Sequence, residues 1–246
     1  TSVQIVKFHP HSEREELLSS SDDGIVSIHN LKTSECLAIF SEHVSVATAL
    51  TFGFHGRLLA SSSGDKVVNF YCMGTYKHIK TKAIMDELKG ALFLGSQHSS
   101  IVSKSKMDGD CNKRILITAG SKGVIQLFRV TFDEKRPGDI LCEALDEIRA
   151  FDYKSPHINP SAFDSTLRKY ESITSLHYLK LKGQVMLVTE DYNFLFFNVD
   201  SKRGSLTREE KHLIGRNDDI LDLSIVPQRC RGSQELSNSS CDTGTI

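Results

Sequence analysis

The sequence predicts an all-β fold built from repeated four-stranded units, and three observations carry this prediction. The segment "SSSDDGIVSIHNL" at residues 19–31 returns as "SSSGDKVVNFYCM" at residues 61–73, an offset of 42 residues. Short runs of alternating apolar and polar residues recur along the chain, and Asp, Gly, Ser and Asn separate them, as is typical of antiparallel strands and their turns. Four short strands in about 40 residues is the length of one β-propeller blade.

The first two units follow this period closely. The predicted strand segments of the first unit are residues 3–10, 16–24, 25–31 and 36–40. Those of the second unit lie within residues 41–52, 57–65, 66–73 and 76–84. One such unit cannot bury both of its faces alone, whereas stacked copies bury each other, which is why the sequence repeats with the geometry.

The third and fourth units carry more changes. Their third strands are expected near residues 124–130 and 194–199, matching those near 25–30 and 67–72. Two insertions interrupt the spacing, at residues 96–113 and 131–170. Within the second insertion, the apolar residues of "ILCEALDEIRAF" (140–151) are spaced as on one side of a short helix. Residues 99–113 and 228–246 are polar and lack periodicity, so we expect them to be poorly ordered.

Composition excludes several functional classes. The 246 residues include 30 Lys and Arg against 31 Asp and Glu, a formal net charge of −1, which gives no overall attraction to nucleic acid or to an anionic membrane. No apolar run approaches the roughly 20 residues that span a bilayer. The six cysteines show neither paired metal-ligand spacing nor a disulfide framework. Nucleotide-binding, metalloprotease and nucleophile-elbow motifs are missing, so we expect no catalytic, metal or cofactor-binding residues and no small-molecule substrate.

The repeated units resemble the WD40-repeat family. Its marks are a Gly-His pair before the first strand, a Ser on the second, an Asp in the next turn and Trp-Asp ending the third. In the second unit these places hold Glu42-His43, Ser61, Asp65 and Tyr71. In the other units the Trp place holds His29, Phe128 and Phe197, and the chain contains no Trp.

The resemblance implies a buried hydrogen-bond chain through the His, Ser, Asp and Trp places. Tyr71 retains a hydroxyl for such a chain, whereas Phe128 and Phe197 do not. We expect the four Trp-place residues to occupy equivalent positions, each at least partly buried between neighbouring blades.

The resemblance also implies a domain plan, an open arc of about four blades that forms part of a WD40 β-propeller at residues 1–227. The blades are expected at about residues 1–41, 42–85, 86–170 and 171–216, with the start of a further blade at 217–227 and a disordered tail at 228–246. An open arc exposes apolar faces and strand edges, so we expect the isolated chain to aggregate or unfold.

Four stretches, at residues 6–43, 45–71, 115–130 and 212–227, resemble in this order one WD40 member that belongs to a ribosome-assembly particle, as a fragment of its first propeller. This resemblance implies a non-catalytic scaffold subunit of the small-subunit processome in the nucleolus. Its partners would be other WD40 propeller subunits, with the U3 small nucleolar ribonucleoprotein and precursor ribosomal RNA contacted indirectly or weakly. The alternative is a cytoplasmic WD40 adaptor, such as a substrate receptor of a ubiquitin ligase.

One local basic cluster is a candidate RNA contact. It comprises Lys104, Lys106, Lys113 and Arg114. Contact with an RNA backbone needs several such charges together, and a solvated loop is the favoured interpretation.

Overall fold

The computed structural model describes residues 2–94, 112–150, 173–179, 183–190, 193–200 and 203–213. The described residues form four sheets, each of four strands. Sheet 1 has β1 (Val3–Phe8), β2 (Glu16–Ser21), β3 (Val26–Asn30) and β4 (Cys36–Phe40). Sheet 2 has β5 (Ala47–Gly53), β6 (Leu58–Ser63), β7 (Val67–Cys72) and β8 (Lys77–Ala83).

The other two sheets are built in the same way. Sheet 3 has β9 (Leu88–Leu94), β10 (Lys113–Gly120), β11 (Val124–Thr131) and β12 (Leu141–Arg149). Sheet 4 has β13 (Ile173–Leu179), β14 (Gln184–Thr189), β15 (Asn193–Asp200) and β16 (Ser205–Leu213). Within each sheet every strand pairs antiparallel with the next one in sequence. The predicted all-β fold with four antiparallel strands per unit is therefore confirmed.

Irregularities of strand register recur at corresponding places in the four sheets. Near the start of every first strand the pairing shifts by one residue, as between Ala47 and Ala49 in sheet 2. A second shift lies between the third and fourth strands, next to the Trp-place residue. The affected residues of the third strands are His29, Tyr71, Phe128 and Phe197. The register thus places these four residues at corresponding positions.

The helix expected within residues 140–151 is wrong, because this segment forms β12. Leu127 pairs with Asp146 and Phe128 with Ala144, so Leu145 is an extra residue in β12. Such a bulge shifts the alternation of a strand by one residue. Apolar residues on either side of Leu145 therefore lose the period of two and acquire a helix-like spacing in the sequence. The segment supplies the fourth strand of sheet 3.

Apolar cores lie between successive sheets. Leu18, Ile28 and Phe40 of sheet 1 pack with Leu59 and Tyr71 of sheet 2. A second core joins sheets 2 and 3, and a third joins sheets 3 and 4. Each of sheets 2, 3 and 4 therefore turns its Trp-place residue toward the preceding sheet.

Sheet 1 differs, because its corresponding face is open. Val3, Val6 and Phe8 are 61%, 55% and 66% exposed, and His29 on the same face is half-buried. The expectation that His29 lies between neighbouring blades is therefore not met among the described residues.

Several expectations fall outside the described residues. These are the start of a further blade at 217–227, the tail at 228–246 and residues 99–111 of the segment expected to be poorly ordered; of that segment, Asn112 is described as a turn and Lys113 begins β10. The division into a propeller domain and a tail stays a prediction. Among the described residues, no helix has the length and apolar character needed to cross a bilayer.

Candidate functional site

The second sheet contains the hydrogen-bond chain that the WD40 resemblance implied. Buried His43 precedes β5, and its Nδ1 lies 2.9 Å from Asp65 Oδ2 in the β6–β7 turn. Its Nε2 lies 2.6 Å from the Oγ of Ser61 on β6. The Ser61 hydroxyl donates to the Tyr71 hydroxyl at 3.4 Å, which donates to Glu42 at 3.4 Å. The structure therefore brings His43, Ser61, Asp65 and Tyr71 together.

This chain fixes a loop to the end of the sheet. The backbone N–H of Val44 donates to Asp65 Oδ2 at 3.1 Å, and that of Val67 donates to Asp65 Oδ1 at 3.3 Å. One carboxylate therefore fastens both its own turn and the loop that enters β5. Burial is the largest cause that raises the pKa of Tyr71, so the hydroxyl stays protonated and able to donate.

Two further members of this network, Asn69 and Thr81, are not among the residues that the WD40 resemblance implied. Asn69 Nδ2 lies 3.3 Å from His43 Nδ1, and Thr81 on β8 donates to Asn69 Oδ1 at 2.6 Å. Asn69 is fully buried. The signal for it in the sequence is a polar Asn among the apolar residues of β7, because a buried polar group needs hydrogen-bond partners. The network therefore extends from the entry loop across three strands.

The third sheet fastens the corresponding turn differently. Thr118 and Phe128 stand where sheet 2 has Ser61 and Tyr71, and the Phe ring cannot donate. Buried Asp86 accepts hydrogen bonds from Lys122 N at 2.9 Å and from Ser121 Oγ at 3.2 Å. Gly120 makes room for this carboxylate, because a Cβ there would lie 2.7 Å from Asp86 Cγ. The sequence alone does not reveal Asp86, because this residue does not follow the repeat pattern.

The described residues of the first and fourth sheets show neither arrangement in full. Ser19 and Ser27 form a hydroxyl pair at 2.8 Å, and His29 Nε2 lies 3.1 Å from Ser27 Oγ. In sheet 4, buried Phe197 is accompanied by Leu187 at the place of Ser61. The interpretation of His29, Phe128 and Phe197 as the family's structural positions stays a prediction.

Two of the four candidate RNA-contact residues, Lys113 and Arg114, lie in the described part of the chain. Lys104 and Lys106 lie outside the described residues, whereas Lys113 is exposed at the start of β10. Arg114 donates to the backbone oxygen of Lys113 at 2.7 Å, and its guanidinium lies 5.8 Å from the centroid of the Phe54 ring. The structure therefore engages Arg114 within the chain, and RNA contact stays a prediction.

Two histidines near the start of the chain join sheets 1 and 2. His9 is buried, whereas His11 is exposed. Its Nε2 lies 3.1 Å from Gly56 O, and His11 Nε2 lies 2.6 Å from His55 O. In the described part of the chain, no three His, Cys, Asp or Glu side chains form a group that fits a metal ion.

Comparison with known proteins agrees with this geometry. The family described as "WD domain, G-beta repeat" matches residues 34–72, the part of the chain that contains His43, Ser61, Asp65 and Tyr71. Transducin beta-like protein 3 of Rattus norvegicus is 23% identical over 97% of this chain and 26% of its own length. The Periodic tryptophan protein 2 homolog of Caenorhabditis elegans is 26% identical over 65% of this chain and 16% of its own length.

The chain spans about a quarter of the length of the transducin beta-like relatives. Among solved structures, a chain in the crystal structure of the mitotic checkpoint complex superposes with a TM-score of 0.56 at 16% identity, over 85% of this chain and 51% of that one. Residues 34–72 are therefore a WD40 repeat, and the four stacked sheets have the fold of part of a WD40 β-propeller.

Proposed function

We propose that this chain is a non-catalytic scaffold within the small-subunit processome, the ribosome-assembly particle built around the U3 small nucleolar ribonucleoprotein. The observation that carries the proposal is its similarity to transducin beta-like protein 3 over 97% of the chain. Similarity to a Periodic tryptophan protein 2 homolog over 65% of the chain adds weight, because both relatives match more than the single repeat.

Scaffolding follows from the way in which the sheets present their loops. Within each sheet every strand pairs with the next, and three apolar cores each join two successive sheets, so the framework is rigid. Loops at both ends of a rigid framework are suitable for contacts with several partners at once. The His43 network and the Asp86 contacts fasten two of these loops, which is a role in shape rather than in chemistry.

The partners proposed on this basis are other WD40 propeller subunits of the particle. U3 ribonucleoprotein and precursor ribosomal RNA would be contacted indirectly or through weak contacts from residues such as Lys113. The corresponding location is the nucleolus. Neither a membrane nor a small-molecule substrate has a part in this function.

The test uses the full-length protein in its own cells. The tagged protein is immunoprecipitated, and U3 RNA is quantified against a spliceosomal small nuclear RNA from the same extract. We expect strong enrichment of U3 RNA alone, nucleolar fluorescence, and accumulation of uncleaved small-subunit precursor RNA when the protein is depleted. A cytoplasmic protein that co-purifies with ubiquitin-ligase subunits and leaves precursor processing unchanged would overturn the proposal in favour of the adaptor alternative.

A further inference from the structure

Two large apolar side chains protrude from corresponding loops at one end of the sheets. Val44 and Met85 are 89% and 88% exposed. Ala47 pairs with Ser63 in sheet 2, and Leu88 pairs with Gly120 at the corresponding place in sheet 3. Each protruding residue lies three positions before that paired residue. A single exposed apolar residue is ordinary, whereas the same exposure at repeated positions needs an explanation.

Buried neighbours fix the backbone at both residues. Val44 follows buried His43, and its own N–H donates to Asp65. Met85 lies between buried Ile84 and buried Asp86. Ile84 N donates to the backbone oxygen of Lys66 at 2.8 Å, and Asp86 accepts from Lys122 N at 2.9 Å. The two side chains are therefore held in solvent by anchored loops, which lowers the ordering cost of binding a partner.

The two loops belong to one surface. In an antiparallel sheet of four sequential strands, the turn between strands two and three lies at the same end as the loop that enters strand one. Gly24 in the β2–β3 turn touches the loop of Val44, because a Cβ on Gly24 would lie 2.7 Å from His43 O. We call this end the tip surface, and it comprises residues 22–25, 41–46, 64–66, 84–87 and 121–123.

Within these ranges, exposed carboxylates outnumber exposed lysines. The exposed charged residues of the tip surface are the carboxylates Asp22, Asp23, Glu42 and Glu87 and the lysines Lys66 and Lys122. Hydrogen bonds from Ser2 lower the pKa of Asp22, and a hydrogen bond from Ser21 lowers that of Asp23, so both carboxylates stay ionised. An excess of exposed carboxylates repels the phosphates of RNA and attracts Lys and Arg.

We propose that the tip surface binds a basic segment of another protein, whose apolar side chains contact Val44 and Met85 while its Lys and Arg residues face the carboxylates. Charge complementarity favours a positively charged partner, and the two fixed apolar residues supply the central contact. This proposal goes beyond the proposed function and does not depend on the particle to which the chain belongs.

The experiment measures binding of four labelled probes to the full-length protein by fluorescence anisotropy. The probes are a Leu/Lys peptide, a Ser/Lys peptide, a Leu/Glu peptide and a 15-nucleotide uridine RNA. We expect the Leu/Lys peptide to bind more tightly than the other three. The double variant Val44→Ser with Met85→Ser should weaken this binding about tenfold, as expected for loss of a central apolar contact.

The matched control is Leu141→Ser, because Leu141 is also an exposed apolar residue but begins β12 at the opposite end. It should leave binding unchanged. Both variants should keep the wild-type melting temperature, and Val44→Thr with Met85→Gln replaces the double variant if its melting temperature falls. Charge reversal by Glu87→Lys should also weaken binding of the Leu/Lys peptide. Equal binding of the Ser/Lys peptide, unchanged binding by the double variant, or RNA binding that depends on Val44 and Met85 would each overturn the proposal.

Discussion

Among the described residues, hydrogen bonds across the junction between sheets 1 and 2 outnumber those across the junction between sheets 2 and 3, where a cluster of aromatic rings lies beside bonds such as Lys80 Nζ to Ile140 O. Across the first junction, Lys7 Nζ donates to Leu50 O at 2.7 Å and Arg14 Nη1 donates to Met73 O at 3.2 Å. Across the second, the Phe54 ring lies 5.4 Å from that of Phe132 and 6.0 Å from that of Phe93.

This difference shows that one blade geometry is compatible with two kinds of contact. Polar contacts depend on direction and on protonation, whereas apolar contacts depend on volume and shape. Repeats of the same fold can therefore diverge in sequence, provided that each junction between two sheets keeps either its hydrogen bonds or its apolar packing. The substitution of Asp86 for the His43 network in sheet 3 is an example of this freedom.

The largest effect is expected at the apolar junction. Phe128→Ala removes a buried ring from the core between sheets 2 and 3 and should lower the free energy of unfolding by about 3–5 kcal/mol. Urea unfolding monitored by circular dichroism measures this loss. Phe128→Leu is the matched control, since it keeps most of the apolar volume and should cost less than half as much. A loss below about 1 kcal/mol for Phe128→Ala would mean that the junction repacks and is not limited by shape.

A smaller effect is expected at the polar junction. Tyr76 OH donates to Oε1 of buried Glu16 at 2.6 Å, which joins the β7–β8 turn to β2. Burial and the adjacent Glu16 carboxylate raise the pKa of Tyr76 to about 12, as expected for a hydroxyl that remains a donor. Tyr76→Phe keeps the ring and removes this bond, so the free energy of unfolding should fall by about 2 kcal/mol. Unchanged stability would show that the bond is replaceable by water.

Two variants test whether a hydroxyl introduced at the Trp place needs a hydrogen-bond partner. Phe197→Tyr introduces a buried hydroxyl beside Leu187 and should cost about 1–3 kcal/mol. Phe128→Tyr introduces the same group beside Thr118 and should cost less, because Thr118 offers a hydroxyl where sheet 2 has Ser61. Thermal unfolding of the two variants ranks them, and the reverse order would contradict the proposed correspondence between Thr118 and Ser61.

Much of the strand pattern was predictable because alternation and period act over short distances in sequence. Residues 25–31 alternate within a repeated frame, and the structure places β3 there, with buried Val26 and Ile28 on either side of partly exposed Ser27. The strand β12 was not predictable, because the bulge at Leu145 hides its alternation. Asp86 and His9 were missed for another reason. Their partners, Lys122 and Gly56, come from distant parts of the chain, and only the stacking of sheets brings them together.

The smallest effect expected is a pH dependence that distinguishes the two junctions. His9 Nδ1 accepts from His11 N at 3.1 Å and Nε2 donates to Gly56 O at 3.1 Å, which suits the neutral ring. Burial lowers the pKa of His9, Glu16 opposes this shift, and Arg14 adds to it.

The unfolded chain, with a His pKa of about 6.5, therefore takes up the proton more readily than the folded chain. The stabilisation from neutral His9 is complete above that pH and is lost as the pH falls below it. Urea midpoints measured from pH 8 to pH 5 should decline, and His9→Gln should decline less steeply. Phe128→Leu, at the apolar junction, should lower the midpoint by a similar amount at every pH. If His9→Gln kept the full slope, or if stability rose on acidification, the polar junction would not be the pH-sensitive one.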